Sequence, residues 1–382
     1  MTGRKRGVVV TRFARAQPGY LDFSYRVAAL KSKYDITLLS DHRLTVEEMQ
    51  IEGVAHVVLP GGESFGEWLA YMWNCGRFIR RVRPDFVVLL HTLTVPIVYL
   101  LGGIPCALYW NEHSIRFKST RPAGLVKRAA RNLKHQLLFD MPTRKVEVVM
   151  PIGEAHRDDL LARGCSADRV ELIYMGVDDR FRGSALRRQR LEADAPLELV
   201  YTGTVQKERG RDVMIEAVAK ACGTGIPVRL TLVGASDEEK DYSDGYAARM
   251  GIGDNIVVHG RVPGSDIPHF LSNADAGVCI WEDRPWWRFN PPTKLFEYMV
   301  AGLPTLASNI QTHTQYIRHG ENGLIFEYTS DSLAGAIEEL WRRRASLAAM
   351  KHNAFESGRS YLWQDIEPRF MEAIENLMRR KR

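Results

Sequence analysis

The feature that most constrains this chain is a rhythm that occurs twice. In the first half, short apolar or β-branched runs at residues 7–11, 35–40, 54–59, 86–90, 106–110 and 146–151 alternate with longer stretches of helical character, such as 19–33. The run at 86–90 follows Arg83, Pro84 and Asp85 and has no polar alternation, as expected of a strand covered on both faces. Strands separated by helices argue for a parallel, doubly wound sheet. The rhythm restarts at Leu197, with strand-like runs at 197–202, 229–233, 255–259, 276–280 and 305–307 and a helix at 210–221. Residues 179–195 between the two series are polar, Arg-rich and weakly patterned, and read as a linker. The predicted fold is α/β, two Rossmann-like domains facing a cleft, with ligands at the carboxyl ends of the strands. The predicted bounds are 1–178 for a first Rossmann-like domain, 179–195 for the linker and 196–358 for a second Rossmann-like domain. A helix at 359–382 has Ile366, Phe370, Ala373, Ile374 and Leu377 on one buried face and could pack on either domain from its pattern alone.

A length of 382 residues is enough for two such cores, and 45% hydrophobic with 26% charged residues excludes a disordered chain. Cys75, Cys106, Cys165, Cys222 and Cys279 are odd in number and scattered, which argues against a disulfide framework or zinc site and for a reducing, cytoplasmic setting. The basic Arg4, Lys5 and Arg6 precede an apolar run too short for a secretory signal, and this run reads as a first strand. Segment 92–110 is broken by Gly102, Gly103 and Pro105, and reads as a helix, a turn and a strand rather than a membrane span. Gly61, Gly62 and Gly66 lack the order of a phosphate loop and read as an ordinary loop.

The net charge of +6 is unevenly spread. Between residues 116 and 145, Arg116, Arg121, Lys127, Arg128, Arg131, Lys134, Arg144 and Lys145 face the single acid Asp140, interleaved with Leu125, Val126, Leu133, Leu137, Leu138 and Phe139. Such a stretch is either a solvated helix face or a basic amphipathic helix on an anionic membrane surface. Nucleic acid is disfavoured, because no helix-turn-helix or RNP-like pattern accompanies the charge.

The segment 290–304 carries the most chemistry. Thr293 is a candidate N-cap and Gly302 a helix stop, so a short helix begins after Pro291 and Pro292. Its N-terminus is a seat for phosphate. Lys294 in the first turn opposes the helix dipole, which makes sense if an anion binds there. Glu297, one turn on, can accept from ribose hydroxyls. The bland alternative is a surface helix with a solvated Lys and Glu.

Residues 291–304 (Pro-Pro-Thr-Lys-Leu-Phe-Glu-Tyr-Met-Val-Ala-Gly-Leu-Pro) resemble the donor-binding signature of the family 4 glycosyltransferases, in the variant P-x-K-x-x-E-Y-M-x-x-G-x-P. The likeness runs on through His319-Gly320-Glu321-Asn322-Gly323-Leu324 and back to Ala274-Asp275-Ala276-Gly277-Val278. Val200 to Val205 with Arg209-Gly210 resembles the family's G-R-L-x-x-x-K-G, with Thr204 in place of its Arg and Arg209 in place of its Lys. Phe289 stands where many members have the first Glu of E-x7-E, and backbone amides of the Phe289 to Thr293 loop, or Glu282 or Asp283, could substitute. Pro18-Gly19, Pro84 to His91, Trp110 to Ser114 and Tyr174 to Asp178 are similar to family segments of the first half.

The resemblance implies a retaining, metal-independent GT-B enzyme that takes a nucleotide-diphosphate sugar and passes the sugar to a glycan or lipid-linked acceptor, peripheral at a membrane. It implies Gly19, Gly203, Thr204, Arg209, Pro292, Thr293, Lys294 and Glu297 at the donor, and His113, Arg209 and Lys294 in catalysis. No cofactor is expected beyond the donor itself. A nucleotide-sugar epimerase and an inactive donor-binding partner subunit are the alternatives.

Overall fold

A computed structural model describes residues 3–13, 20–41, 53–118, 124–187 and 195–379. The chain forms two compact units, one of Met1–Met175 with Gln364–Arg382 and one of Gly176–Trp363.

The first unit holds a six-stranded parallel sheet in the order β3-β2-β1-β4-β5-β6. The strands are β1 (Arg6–Val10), β2 (Asp35–Ser40), β3 (Ala55–Val58), β4 (Phe86–Leu89), β5 (Cys106–Trp110) and β6 (Val148–Pro151). The inner strands β4 and β5 are buried at every residue, which explains their unbroken apolar sequences. Segment 92–110 resolves into a 3-10 helix, Thr92–Leu100, a turn through Gly102 and Gly103 at positive φ, and β5. The loop with Gly61 and Gly62 leads to Ser64, which caps helix Phe65–Val82 in a capping box closed by Glu67. Among the described residues no helix is long and apolar enough to cross a membrane.

The terminal helix Trp363–Arg379 buries Ile366, Phe370, Ala373, Ile374 and Leu377. From Gln364 onward it belongs to the first unit. Its anchor is Arg26, fully buried, whose guanidinium lies 4.1 Å from the Tyr109 ring centroid and 4.9 Å from that of Phe370. Asp22 accepts from Arg26 at 3.0 Å and neutralises it.

The second unit holds another six-stranded parallel sheet, in the order β12-β11-β10-β7-β8-β9. Its strands are β7 (Leu197–Thr202), β8 (Val228–Ala235), β9 (Ile256–Gly260), β10 (Ala276–Cys279), β11 (Thr305–Ser308) and β12 (Gly323–Phe326). β12 is absent from the sequence reading. It is only four residues long and opens on a glycine, so no periodicity marks it. The glycine is required, because a Cβ at Gly323 would lie 2.2 Å from the Thr305 carbonyl oxygen.

The expected linker also differs from what is observed. Phe181 and Ala185 are buried, and the Gly183 N–H donates to the Val300 carbonyl at 2.9 Å, so residues 179–187 pack into the second unit. The surrounding arginines mask this in the sequence. Residues 188–194 lie outside the described residues.

Candidate active site

In the second sheet the chain leaves β7 in one direction for β8 and β9, while β10 pairs on its other side. The carboxyl ends of β7 and β10 are therefore the topological switch point, where open α/β sheets bind ligands. Gly203 follows β7, and helix Thr293–Ala301 joins β10 to β11. Gly203 has φ +120°, and its N–H donates to the Val233 carbonyl at 2.9 Å. A side chain there would be strained, and its Cβ would sit 3.2 Å from the Lys294 ammonium. Gly203 thus leaves the room that Lys294 occupies.

Helix Thr293–Ala301 corrects the expected cap. Pro292 is the N-cap, extended at φ −74° and ψ 132° and with no side-chain cap bond, and Thr293 is the first helical residue. Proline fixes its own φ and so enforces the sharp entry. Gly302 ends the helix at φ +77°. The helix is pinned to the sheet by Tyr298. Its hydroxyl accepts from the Thr202 N–H at 2.9 Å, and its ring fills the space where Gly277 lacks a Cβ.

Two charged side chains rise from this helix. The Lys294 ammonium lies 3.3 Å from the Tyr201 ring centroid, a cation–π contact. Burial pushes it down from the usual lysine range to about 7; Arg209 adds repulsion, and Cys279 and Glu297 oppose. Burial likewise raises the Glu297 carboxyl to about 7, against the pull of Lys294. Both are half-buried by surface area, yet protein surrounds them closely enough for desolvation to dominate. Among the described residues neither has an ion-pair partner within contact distance. A desolvated cation without a carboxylate is a poor structural element and a good anion site.

Arg209 enters the same site from the turn after β7. Its guanidinium is 5.1 Å from the ring centroids of both Trp281 and Trp287, which stack on each other at 5.4 Å. These indoles were not singled out in the sequence; the signal was the tryptophan-rich run just after β10. Behind them, His313 and Ser308 form a buried frame. Ser308 Oγ accepts from the Trp281 N–H at 2.9 Å and donates to the Trp281 carbonyl at 2.8 Å. Burial lowers His313 to about 3, so it is neutral and structural. Thr204 accepts through its carbonyl from the Tyr201 hydroxyl at 2.9 Å. Phe289 and Asn290 are half-buried. Glu282 pairs with Arg284 at 2.8 Å and Asp283 with Arg288 at 2.6 Å, so the two acids weighed as substitutes for a glutamate at 289 have arginine partners.

His113 belongs to the first unit, three residues past β5. It is buried, and its Nδ1 accepts from the Ile115 N–H at 3.2 Å while Nε2 meets Asp159 at 2.9 Å. The proton therefore sits on Nε2 and is donated to Asp159, which Arg163 also holds at 2.7 Å. Desolvation lowers the His113 pKa, with Asp159 opposing. In this state both ring nitrogens are engaged, and the ring holds the turn Ser114–Phe117. Gly19 lies outside the described residues. Among the described residues no cluster of His, Cys, Asp and Glu could hold a metal ion.

Residues 184–357 match the family described as Glycosyl transferases group 1, and residues 4–181 match Glycosyltransferase Family 4. Among curated relatives, alpha-D-kanosaminyltransferase of Streptomyces kanamyceticus is 23% identical over 247 residues, covering 62% of this chain and 61% of its own length. Amylovoran biosynthesis glycosyltransferase AmsK of Erwinia amylovora is 24% identical over 203 residues, covering 53% and 49%. The chain thus spans roughly half of the length of the curated relatives it matches. Among solved structures, sucrose-phosphate synthase from Thermosynechococcus elongatus superposes with a TM-score of 0.75 at 14% identity, over 98% of this chain and 99% of that one. Anabaena Alr3699/HepE in complex with UDP and glucose superposes with a TM-score of 0.73 at 15% identity, over 98% and 99%. With residues 4–181 and 184–357 matched by glycosyltransferase families and the α/β fold shared with these solved structures, the chain belongs to the family 4 glycosyltransferases.

Proposed function

We propose that this chain transfers a sugar from a nucleotide-diphosphate sugar to an acceptor hydroxyl, with retention and without a metal ion. The observation that carries the reading is Lys294: a desolvated ammonium at the first turn of a helix, beside Gly203 and, among the described residues, with no carboxylate within ion-pair distance. A diphosphate supplies the missing anion, and Arg209 supplies a second cation held in place by two indoles. Glu297 is placed to accept from the ribose hydroxyls, its carboxylate having no hydrogen-bond partner among the described residues.

In this reading the bond from the anomeric carbon to the diphosphate oxygen breaks, and the electron pair leaves with the diphosphate. The acceptor oxygen bonds to the same face of the sugar. Charge grows on the departing diphosphate, where Lys294, Arg209 and the helix N-terminus stabilise it without reorganising. His113 orders the strand-end turn of the first unit, which receives the acceptor. The acceptor is a glycan or lipid-linked molecule, and the basic segment between residues 116 and 145 brings the protein to an anionic membrane face. Arg116 is paired with Glu112, and Lys127, Arg128, Arg131 and Lys134 share one side of helix Leu125–His135.

The UDP and UDP-glucose complexes of Anabaena HepE make uridine donors the first to test. Calorimetric titration with UDP, GDP and ADP and their sugars should identify one base that binds, and the matching sugar nucleotide should be turned over by the purified chain alone. Binding without turnover would favour the inactive partner subunit, suggested by Phe289 and Thr204. Failure of every nucleotide diphosphate to bind would remove the reading.

A further inference from the structure

The second unit carries a cavity of about 460 Å³ whose polar lining is Arg180, Arg182, Ser184, His269, Ser272 and Asn273. Among the described residues no carboxylate lines it. Asn273 stands just before β10, so the cavity lies towards the amino end of that strand, whereas Gly203 and Lys294 lie at the carboxyl-end side of the sheet. Its two walls are tied together: the buried Lys351 donates to the Ala185 carbonyl at 3.2 Å and to the Ala274 carbonyl at 3.1 Å. The arginines are held by acids that do not line the cavity. Asp178 takes Nε and Nη2 of Arg180 at 3.0 and 2.7 Å, and Asp179 takes Nε of Arg182 at 2.6 Å. A guanidinium has five N–H donors, so pairing with one carboxylate fixes the fork without exhausting it. On the same wall Ser184 is 8% exposed, and its hydroxyl has no hydrogen-bond partner among the described residues. A buried hydroxyl left unpaired is destabilising, and a ligand that accepts from it accounts for its presence. The His269 carbonyl, which would repel an anion, already accepts from Ser272 Oγ at 2.7 Å and from Asn273 Nδ2 at 2.9 Å.

We infer that this cavity is a second anion site, distinct from the donor site, and that it takes a small molecule of the sugar phosphate class. Two oriented guanidiniums and a hydroxyl supply the donors that phosphate oxygens accept from. A volume in the range of small-molecule sites has room beyond a bare phosphate. The remaining polar wall is hydroxyl, amide and imidazole, groups that exchange hydrogen bonds with sugar hydroxyls and offer little to an apolar substituent. A neutral sugar would give the two guanidiniums no anion to meet.

The test is calorimetric titration of the full chain with inorganic phosphate, ribose 5-phosphate and ribose. Phosphate can also reach Lys294, so the titrations use Lys294→Met/Arg209→Gln, which removes the donor cations and keeps the cavity. In that background ribose 5-phosphate should bind at a single site, more tightly than phosphate, and ribose should not bind. Adding Arg180→Gln/Arg182→Gln should weaken ribose 5-phosphate by at least about tenfold. In the otherwise wild-type chain the same pair should remove one class of ribose 5-phosphate site. Ser184→Ala should weaken the ligand severalfold and leave the unliganded melting temperature unchanged or higher, because the hydroxyl it removes is unpaired; a structural serine would lower that temperature. Circular dichroism establishes that each variant is folded. Absence of binding in the Lys294→Met/Arg209→Gln background, or binding that ignores Arg180→Gln/Arg182→Gln, overturns the site. Equal affinity for phosphate and ribose 5-phosphate keeps the anion site and overturns the sugar phosphate assignment.

Discussion

Replacing Lys294 by methionine should push stability and binding in opposite directions. The side chain is retained in length and packing over Tyr201, and only the charge is removed. The folded protein holds this ammonium at about 7 against an ordinary 10.5. That fall corresponds to roughly 4–5 kcal/mol of lost preference for the charged form. Because Lys294 is only partly buried by surface area, solvent screening leaves about 1–3 kcal/mol. The sign follows from proton counting. Between pH 7 and 10.5 the unfolded chain holds more protons here than the folded one, so the unliganded protein gains stability as pH rises. The penalty is fully present below pH 7, and Lys294→Met removes it.

The unliganded variant should therefore melt a few degrees above the wild type near pH 7 and converge with it towards pH 10. Nucleotide diphosphate binding should fall by about ten- to a hundredfold, since a charge-assisted contact worth ~1.5–3 kcal/mol is gone. A bound diphosphate also restores the lysine's preference for its proton. Wild-type affinity should then be greatest below pH 7 and weaken above it, and calorimetry in buffers of different ionisation enthalpy should show proton uptake that grows from pH 7 to 8.5. The variant should show none at this site. A variant that melts lower than the wild type and still binds normally would refute the argument, because Lys294 would then be a structural residue.

Glu297→Gln should weaken nucleotides more than inorganic pyrophosphate, because only nucleotides carry ribose hydroxyls; equal losses in titration would make the residue structural. Trp287→Leu should raise the KM for the donor by about two- to thirtyfold, as expected for loss of a cation–π contact that orders Arg209, with little change in melting temperature. Millimolar EDTA should leave the initial rate of sugar transfer unchanged, because Lys294 and Arg209 meet the diphosphate charge; a rate that collapses and returns with added Mg²⁺ would contradict this.

Much of the scaffold was open to inspection in the linear chain. The strands at Asp35–Ser40, Cys106–Trp110 and Leu197–Thr202 coincide with the runs that mark them, and Cys106–Trp110, buried at every residue, has no polar position to blur its ends. Gly302 and the paired prolines marked the helix that carries Lys294 and Glu297, because each restricts φ in a way few other residues share. β12 and the burial of Phe181 and Ala185 were hidden, since short elements among glycines and arginines have no period to detect.

The sequence by itself determined which residue types stand at the switch point: a lysine and a glutamate one turn apart, a glycine after β7 and an arginine beyond it. Tertiary structure decided what those residues are. Lys294 is an unusual cation only because Tyr201 and the ends of β7 and β10 close around it and take away water. Arg209 is an ordered cation only because two indoles more than seventy residues away stack beneath it. The amphipathic pattern at 125–135 fixed that the helix has an apolar side, but not which way that side faces. That depends on packing, and the core of the first unit is filled by other residues, so Leu125, Val126 and Leu133 are left outside. Periodicity is a local property of the chain, whereas desolvation and exposure belong to whatever the fold brings near.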